Sequence, residues 1–209
     1  HLINAVTTNK TDFFREPAHF DYLEQVALPA LVKDGVRTIR AWSSACSTGP
    51  EAYTMAMMLD DYAQRHGGLS YGILATDIDT EVLAAAQRGV YAAELVHPVP
   101  PALARKYVMR PKDSARTEIR MAPALRSAIG FARMNLMASP YPIAEQMHLI
   151  FCRNVLIYFD KETQRSVIAR LTEKLTPNGY LFLGHSESIQ GLGLPLRQVA
   201  NTIFQRSDV

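Results

Sequence analysis

Apolar runs alternate with amphipathic stretches along most of the 209-residue chain. Runs rich in β-branched and aromatic residues predict strands, and apolar residues at helical spacing predict helices. The predicted strands are 38–45, 71–76, 129–134, 148–152, 180–183 and one or two closing strands in 196–206, and the predicted helices are one opening near 11, then 50–64, 80–87 and 161–175. This alternation predicts an α/β domain with helices on both faces of a mostly parallel sheet.

The helix boundaries are predicted from capping and turn residues. Thr11 or Asp12 can cap the first helix, and Asp79 or Thr80 can cap the third. A Thr-Pro-Asn-Gly turn at 176–179 is expected to stop the last helix. The apolar face of the first helix would consist of Phe13, Phe14, Phe20 and Leu23.

The stretch 98–127 breaks this rhythm. Three prolines open it, and two short alternating runs, 106–110 and 117–121, flank a turn at 111–114. Two such runs around a turn predict a small antiparallel insertion.

Composition and charge exclude several classes of protein but do not indicate a particular binding partner. Apolar residues make up 48% of the chain and charged residues 20%, and the net charge is only +2, which gives no basis for nucleic-acid binding. Cys46 and Cys152 are interpreted as reduced thiols. The sequence contains neither an apolar run of the ~20 residues that span a bilayer nor a signal-peptide pattern, so a cytoplasmic protein is expected. It also has no Cys/His spacing typical of zinc and no Gly-x-Ser-x-Gly motif, so no metal site is predicted.

Unusual polar residues cluster where the predicted strands end. The clusters are 47–51, 77–79, 135 and 153–154. Ligands of parallel sheets bind beyond the carboxyl ends of the strands. The convergence of the four clusters at that edge therefore predicts a ligand site.

The loop after the first strand favours one class of ligand. It contains a single glycine, Gly49, and continues to Glu51 instead of the lysine or further glycines of a phosphate-binding loop. A carboxylate there repels pyrophosphate and suits an amino group or sugar hydroxyls, as in a nucleoside that carries an amino acid. Glu51 is equally consistent with a first-turn partner of the helix dipole.

The other clusters allow two interpretations each. Asp77 can accept hydrogen bonds from a ribose or cap a helix. Asn154 can bind an adenine edge or an amino-acid group, and Tyr158 is either a packed aromatic or a wall of the reaction centre. Arg15 is either a solvated helix terminus or a site residue, and His185 either a loop hydrogen-bonder or a substrate contact.

Five segments together resemble the CheR family of chemotaxis receptor glutamate methyltransferases. They are TNKTDFFRE (8–16), WSSACSTG (42–49), ATDIDT (75–80), FCRNVLIYF (151–159) and LFLGHSES (181–188). The resemblance implies a Rossmann-like fold dependent on S-adenosylmethionine, with a mostly parallel seven-stranded sheet and a small antiparallel β-subdomain. It also implies that residues 1–14 are a linker from a helical N-terminal domain, that 15–209 are the catalytic domain, and that the β-subdomain lies near 98–127.

The resemblance also assigns site residues. The cofactor-binding set would be Asn9, Thr11, Arg15, Glu51, Asp77, Asn135, Leu136, Arg153 and Asn154. Arg15 or Arg153 would orient the substrate carboxylate, and Tyr158 would shape the transfer site. The family usually has two glutamates after the loop glycine, whereas here Pro50 replaces the first and Glu51 keeps the second.

The implied partner is the cytoplasmic domain of a chemoreceptor, bound through its C-terminal tail on the β-subdomain. The implied product is a glutamate methyl ester. Two alternatives remain at this point, namely a methyltransferase with another substrate and a module that senses S-adenosylmethionine without transferring methyl. The weak basicity and the absence of an Asn/Asp-Pro-Pro-aromatic motif count against the first.

Overall fold

The computed structural model describes residues 11–113, 117–187, 189 and 191–207. The strands in these ranges are β1 (Thr38–Ser43), β2 (Ser70–Asp77), β3 (Val90–Ala92), β4 (Val108–Met109), β5 (Glu118–Met121), β6 (Ile129–Arg133), β7 (Met147–Cys152), β8 (Leu175–Leu183), β9 (Leu196–Ala200) and β10 (Ile203–Arg206). The α-helices are α1 (Ala18–Tyr22), α2 (Leu28–Lys33), α3 (Pro50–His66), α4 (Thr80–Arg88), α5 (Pro101–Tyr107), α6 (Pro123–Ser127) and α7 (Lys161–Glu173). A π-helical turn, Leu23–Ala27, joins α1 to α2, and 3₁₀ turns occupy Ala93–Val96 and Leu156–Tyr158. No helix among the described residues has both the length and the apolar character needed to cross a membrane.

The main sheet has the order β6-β2-β1-β7-β8-β10-β9. The first five strands of this order run parallel, and β10 pairs antiparallel with both β8 and β9. The predicted α/β fold with a mostly parallel seven-stranded sheet is therefore confirmed. The chain progresses outward from β1 to β2 on one side and from β7 to β8 on the other, so a crevice opens between the carboxyl ends of β1 and β7.

The central strand β7 shows how the sequence places the core on both faces of the sheet. All six of its residues are buried. Leu149 and Phe151 belong to one apolar cluster, and Ile150 and Cys152 to the other. Because successive side chains of a strand point to opposite faces, a continuous apolar run is what a strand covered on both sides requires.

The small sheet has the order β3-β5-β4, with antiparallel pairing throughout. The predicted antiparallel subdomain is confirmed, although its first strand, β3, precedes the predicted range and Lys106 lies in α5 rather than in a strand. The subdomain is tied to α3, because Tyr107 Oη donates to Asp60 Oδ2 at 2.7 Å and Lys106 Nζ donates to Asp61 Oδ1 at 2.9 Å.

Two predicted boundaries are wrong for local reasons. The first helix begins at Ala18 rather than near Thr11, because Phe14 and Glu16 adopt positive φ values of 52° and 56° that no α-helix allows. Helix α4 begins at Thr80 as predicted, and of the two candidate caps it uses Asp79, whose carboxylate accepts the Glu81 N–H at 2.8 Å.

The second error concerns the turn predicted at 176–179. The last helix ends at Glu173, and the Thr-Pro-Asn-Gly segment lies inside β8. Here the pairing of β8 with β7 shifts register, and Asn178 takes a φ of 60°. The turn residues therefore mark an irregularity within a strand instead of a chain reversal.

Candidate cofactor site

The loop after β1 is shaped by a glycine that no other residue could replace without strain. Gly49 precedes α3 with a φ of 101°. A Cβ there would lie 2.8 Å from Tyr91 Oη and 2.9 Å from Ala86 Cβ. The loop is also fastened to the next strand, since Cys46 N donates to Thr76 O at 2.9 Å. The small residues of this segment therefore serve close packing at the crevice between β1 and β7.

Asp77, at the end of β2, organises the same loop. One carboxylate oxygen accepts the Ser47 N–H at 2.8 Å, and the other accepts the Asp79 N–H at 3.0 Å. Each carboxylate oxygen has a second lone pair, so Asp77 can still accept hydrogen bonds from a ligand. Ser47 Oγ is buried and has no hydrogen-bond partner among the described residues. A donor or acceptor in the loop is therefore available to a bound molecule.

Glu51 points into the crevice from the first turn of α3. Its Oε1 accepts from Ser43 Oγ at 2.6 Å, and its Oε2 pairs with Arg153 at 3.3 Å. Burial raises the pKa of Glu51, an effect that Arg153 and the Ser43 hydroxyl only partly offset. Pro50 occupies the first helical position and is itself buried, so the glutamate that the sequence retains is the one that faces the strand ends.

Arg153 is the centre of a buried ion-pair network. Its side chain is 2% exposed and lies 3.0 Å from Glu16 Oε2 as well as near Glu51. The guanidinium also donates to the Arg15 carbonyl and lies over the Phe20 ring. A buried cation needs such partners, and removing them would leave an uncompensated charge.

Glu16 lies in the site, although no role was predicted for it from the sequence. Its Oε1 accepts the Asn154 side-chain amide at 3.3 Å and the His185 N–H at 3.2 Å. Burial alone would raise the pKa of Glu16, but the Arg153 charge and these hydrogen bonds outweigh it and lower the pKa. The adjacent His19 is buried, and its pKa falls to about 4 through burial and the nearby Arg153. Glu16 adopts a positive φ, which the helix-like sequence pattern of this segment does not predict. Its role in the site could therefore not be predicted either.

Glu187 is the second residue that was missed. Its two oxygens accept four backbone N–H groups, those of Gly184 at 2.6 Å, Asn154 at 3.0 Å, Val155 at 2.9 Å and Leu156 at 2.7 Å. Burial raises the pKa of Glu187, and the four hydrogen bonds oppose that rise. Because all four partners are donors, the ionised form is the one that satisfies them.

The clamp formed by Glu187 holds an unusual backbone in place. Asn154 has a φ of 58°, and a Cβ on Gly184 would lie 2.5 Å from the side-chain nitrogen Nδ2 of Asn154. A non-glycine residue with positive φ persists only where its surroundings enforce it. Glu187 and Gly184 together fix the loop that follows β7.

The remaining described candidates lie in three segments, which precede α1, follow β6 and follow β7. Asn135 and Leu136 follow β6, where the Asn135 side chain accepts the Met137 N–H at 2.9 Å and the Leu136 carbonyl accepts from Tyr141 Oη at 2.8 Å. Thr11 and Arg15 are half-buried, and Tyr158 is 51% exposed in the 3₁₀ turn after the Asn154 loop. Asn9 lies outside the described residues. Hydrogen bonds and ion pairs thus join Arg153, Asn154, Glu51 and the Arg15 backbone.

The polar side chains of this site fit S-adenosylmethionine. The carboxylates of Glu51, in the first turn of α3, and of Asp77, at the end of β2, suit an α-amino group and a ribose diol, and Asn154 carries an amide that can both donate and accept. The buried Ser47 hydroxyl offers a further polar contact. The acidic character of the crevice disfavours phosphate-bearing ligands such as nucleotides.

Comparison with known proteins matches this geometry. Residues 9–204 match the family model described as "CheR methyltransferase, SAM binding domain". The chain is 38% identical over 196 residues to the chemotaxis protein methyltransferase of Borreliella burgdorferi, covering 91% of this chain and 68% of that protein. It is 40% identical over 206 residues to the chemotaxis protein methyltransferase of Escherichia coli, covering 99% and 70% of the two chains. Chemotaxis protein methyltransferase 2 of Pseudomonas aeruginosa is 38% identical over 203 residues, covering 97% and 71%. The chain therefore belongs to the CheR methyltransferase family, and its cofactor is S-adenosylmethionine.

Proposed function

We propose that this protein transfers the methyl group of S-adenosylmethionine to glutamate side chains of chemoreceptors, producing glutamate methyl esters. The observation that carries the proposal is the acidic crevice between β1 and β7, in a chain that matches the CheR family over 9–204. Its relatives in three bacteria are named chemotaxis protein methyltransferases.

The reaction needs no general base. A glutamate carboxylate has an unperturbed pKa near ~4.3, so the substrate is ionised at neutral pH. The bound cofactor supplies a methyl group already activated by its sulfonium charge. The protein is left with alignment and exclusion of water, which can supply roughly 7–11 kcal/mol in favourable cases.

We assign cofactor recognition to the strand ends. Glu51 holds the amino-acid part, and Asp77 accepts the ribose hydroxyls with the lone pairs that the loop leaves open. Asn154 and the segment of Asn135 and Leu136 line the base. Asn9, Thr11 and Arg15 close over the cofactor from the chain segment before α1, and Phe14 N, which donates to Thr54 Oγ1 at 3.2 Å, ties this segment to α3.

Orientation of the substrate carboxylate falls to Arg15 rather than to Arg153. Arg153 is 2% exposed and is committed to Glu16 and Glu51. Its hydrogen bond to the Arg15 carbonyl fixes the backbone that carries the Arg15 side chain. Tyr158 is half exposed beside the Asn154 loop, which suits a wall that meets a protein substrate. Arg153 therefore acts as a support, and Arg15 and Tyr158 face the reaction.

Receptor docking is assigned to the small sheet. The outward residues of β5, Glu118 and Arg120, are exposed, and Met109 on the neighbouring β4 is 51% exposed. An extended receptor tail could add to the edge of this sheet through backbone hydrogen bonds. Replacing Arg120 with Glu should weaken binding of a receptor fragment that carries its tail more than binding of a tail-less fragment. Equal effects on both would contradict docking of the tail at this sheet.

The catalytic unit includes the segment before α1. Phe13 is 1% exposed in the core, and the family match begins at residue 9. The division into a linker at 1–14 and a catalytic domain at 15–209 remains a prediction, and we propose that 11–14 already contributes to the fold.

The experiment is transfer of labelled methyl from S-adenosylmethionine to a receptor cytoplasmic fragment, followed by alkali. Release of the label as methanol is expected for a carboxyl ester. Retention of the label would indicate N- or C-methylation and overturn the proposal, and absence of label with cofactor binding intact would favour a sensor.

The residue roles are tested separately. Arg15→Ala and Tyr158→Phe should lower turnover more than they weaken cofactor binding, whereas Arg165→Ala, an exposed arginine on α7, should change neither. Full turnover in both variants would refute the assignment while leaving the ester chemistry intact.

A further inference from the structure

Three potential metal ligands meet beside the Arg153 network although they are far apart in sequence. His19 Nδ1 lies 3.4 Å from Glu16 Oε2, and His185 Nε2 lies 4.0 Å from the same oxygen. All three ligand atoms lie within 4.8 Å of one another. Because His185 follows β8 and the other two residues precede or begin α1, no sequence spacing could have predicted the group.

The hydrogen bonds of His19 determine which ring nitrogen faces Glu16. Thr202 Oγ1 donates its hydrogen to the Asn201 carbonyl at 2.8 Å, and in this arrangement it accepts from His19 Nε2, 2.9 Å away. The neutral imidazole then carries its hydrogen on Nε2, and its lone pair on Nδ1. A backbone-anchored hydroxyl that fixes the outer nitrogen is the arrangement typical of metal-bound histidines.

The lone pair of Nδ1 has an unfavourable neighbour. His19 is 1% exposed, and Nδ1 has no hydrogen-bond partner among the described residues. A carboxylate oxygen of Glu16, which is an acceptor as well, lies 3.4 Å from Nδ1. Two acceptors that face each other in a buried place repel, and a cation between them would satisfy both.

We propose that Glu16, His19 and His185 form a zinc-binding site, with a water molecule as the fourth ligand. Zn²⁺ bonds of ~2.0–2.2 Å in tetrahedral geometry separate neighbouring ligands by roughly 3.4 Å. The pair of His19 and Glu16 already has that separation. The side chain of His185 is 52% exposed, so its ring can move to shorten its distances to the other two ligand atoms, which are at most 4.8 Å, towards roughly 3.4 Å. Two imidazoles and one carboxylate favour Zn²⁺ over Mg²⁺ or Ca²⁺.

Arg153 opposes the metal and sets its affinity. The guanidinium lies 3.0 Å from the same Glu16 oxygen. That oxygen also accepts from Arg153 Nε at 3.4 Å, so a metal ion would share it with both N–H groups, and the two cations repel each other. The site is therefore weaker than a closed structural zinc site. Since Glu16 serves both cations, metal binding at this site is coupled to the network that supports the cofactor site.

The test uses Co²⁺ as a spectroscopic probe on the whole chain and needs neither cofactor nor receptor. One equivalent of Co²⁺ should give the visible absorption of a tetrahedral site, and Zn²⁺ but not Mg²⁺ should abolish it. His185→Ala should weaken binding by at least about tenfold, the minimum expected when even a supporting group of a metal site is lost. His97→Ala, which removes another exposed histidine, should leave the affinity unchanged.

Glu16→Gln checks the carboxylate independently and should also weaken Co²⁺ binding. Because His185 lies on the surface, its loss does not threaten folding, and thermal unfolding of the variant confirms this. Absence of tetrahedral absorption, equal Co²⁺ affinity of wild type and His185→Ala, or equal loss in His97→Ala would each overturn the proposal.

Discussion

Replacing Glu187 with glutamine tests whether its carboxylate holds the cofactor loop. The substitution keeps the size of the side chain but converts one acceptor oxygen into an NH₂ group. Each oxygen of Glu187 accepts two backbone N–H groups, so either orientation of the amide leaves two buried donors facing another donor.

The expected cost follows from those two donors. A buried unsatisfied donor costs ~1–3 kcal/mol, and relaxation of the loop recovers part of it. We expect Glu187→Gln to lower the free energy of unfolding by about 3 kcal/mol, which is a large part of the ~5–15 kcal/mol typical of a domain. The freed Asn154 loop should also weaken binding of S-adenosylmethionine by about tenfold, or ~1.4 kcal/mol.

Urea unfolding measures the first effect, and calorimetric titration of the folded variant with S-adenosylmethionine measures the second. Glu173→Gln is the matched control, because it removes the same charge from an exposed position at the end of α7. If Glu187→Gln unfolds within about 0.5 kcal/mol of the control and binds the cofactor normally, the carboxylate is not the clamp that the hydrogen bonds indicate.

Three further substitutions or conditions test other parts of the site. Gly184→Ala should abolish cofactor binding, since the added methyl group would lie 2.5 Å from the side-chain nitrogen Nδ2 of Asn154. Gly130→Ala is the control and should be tolerated, because the nearest atom to its methyl group lies 3.9 Å away. Equal calorimetric titrations of the two variants would contradict this. Arg153→Leu should destabilise the fold by about 3–5 kcal/mol in urea, because it leaves buried carboxylates unpaired, and a loss below 1 kcal/mol would refute the network. Burial lowers the pKa of both His148 and His19 from 6.5 to about 4, so the unfolded chain takes up protons first and stability should fall as the pH drops from ~6.5 towards ~4.5. His148 should contribute roughly 1–2 kcal/mol of this loss, and His148→Gln should remove that part of the pH dependence.

The sheet was predictable from sequence because its strands are buried on both faces. The apolar run of β7 and the alternation of strands with α3, α4 and α7 leave few other folds. The edge of the sheet that carries the ligand was predictable as well, since polar residues interrupt the chain where buried strands end. Both inferences rest on local patterns that packing reinforces.

The start of the first helix and the hydrogen-bond and ion-pair network of the site were not predictable in the same way. Phe13 and Phe14 look like a helical face, but tertiary contacts with Tyr91 and Phe20 place them in an irregular segment. Glu16 and Glu187 acquire their roles from partners 137 and 33 residues away. Local propensity carries no information about such pairs, so only the folded arrangement could assign them.

The long-range pairing of Glu16 with Arg153 has a consequence for synthesis of the protein. A ribosome must translate another 137 residues after Glu16 before its partner exists, and Glu187 follows 33 residues after Asn154. The cofactor crevice therefore cannot close on a nascent chain that lacks β8, whatever has folded before it. S-adenosylmethionine can then stabilise only a chain translated past Glu187, so cofactor binding is a step that shorter translation products cannot reach.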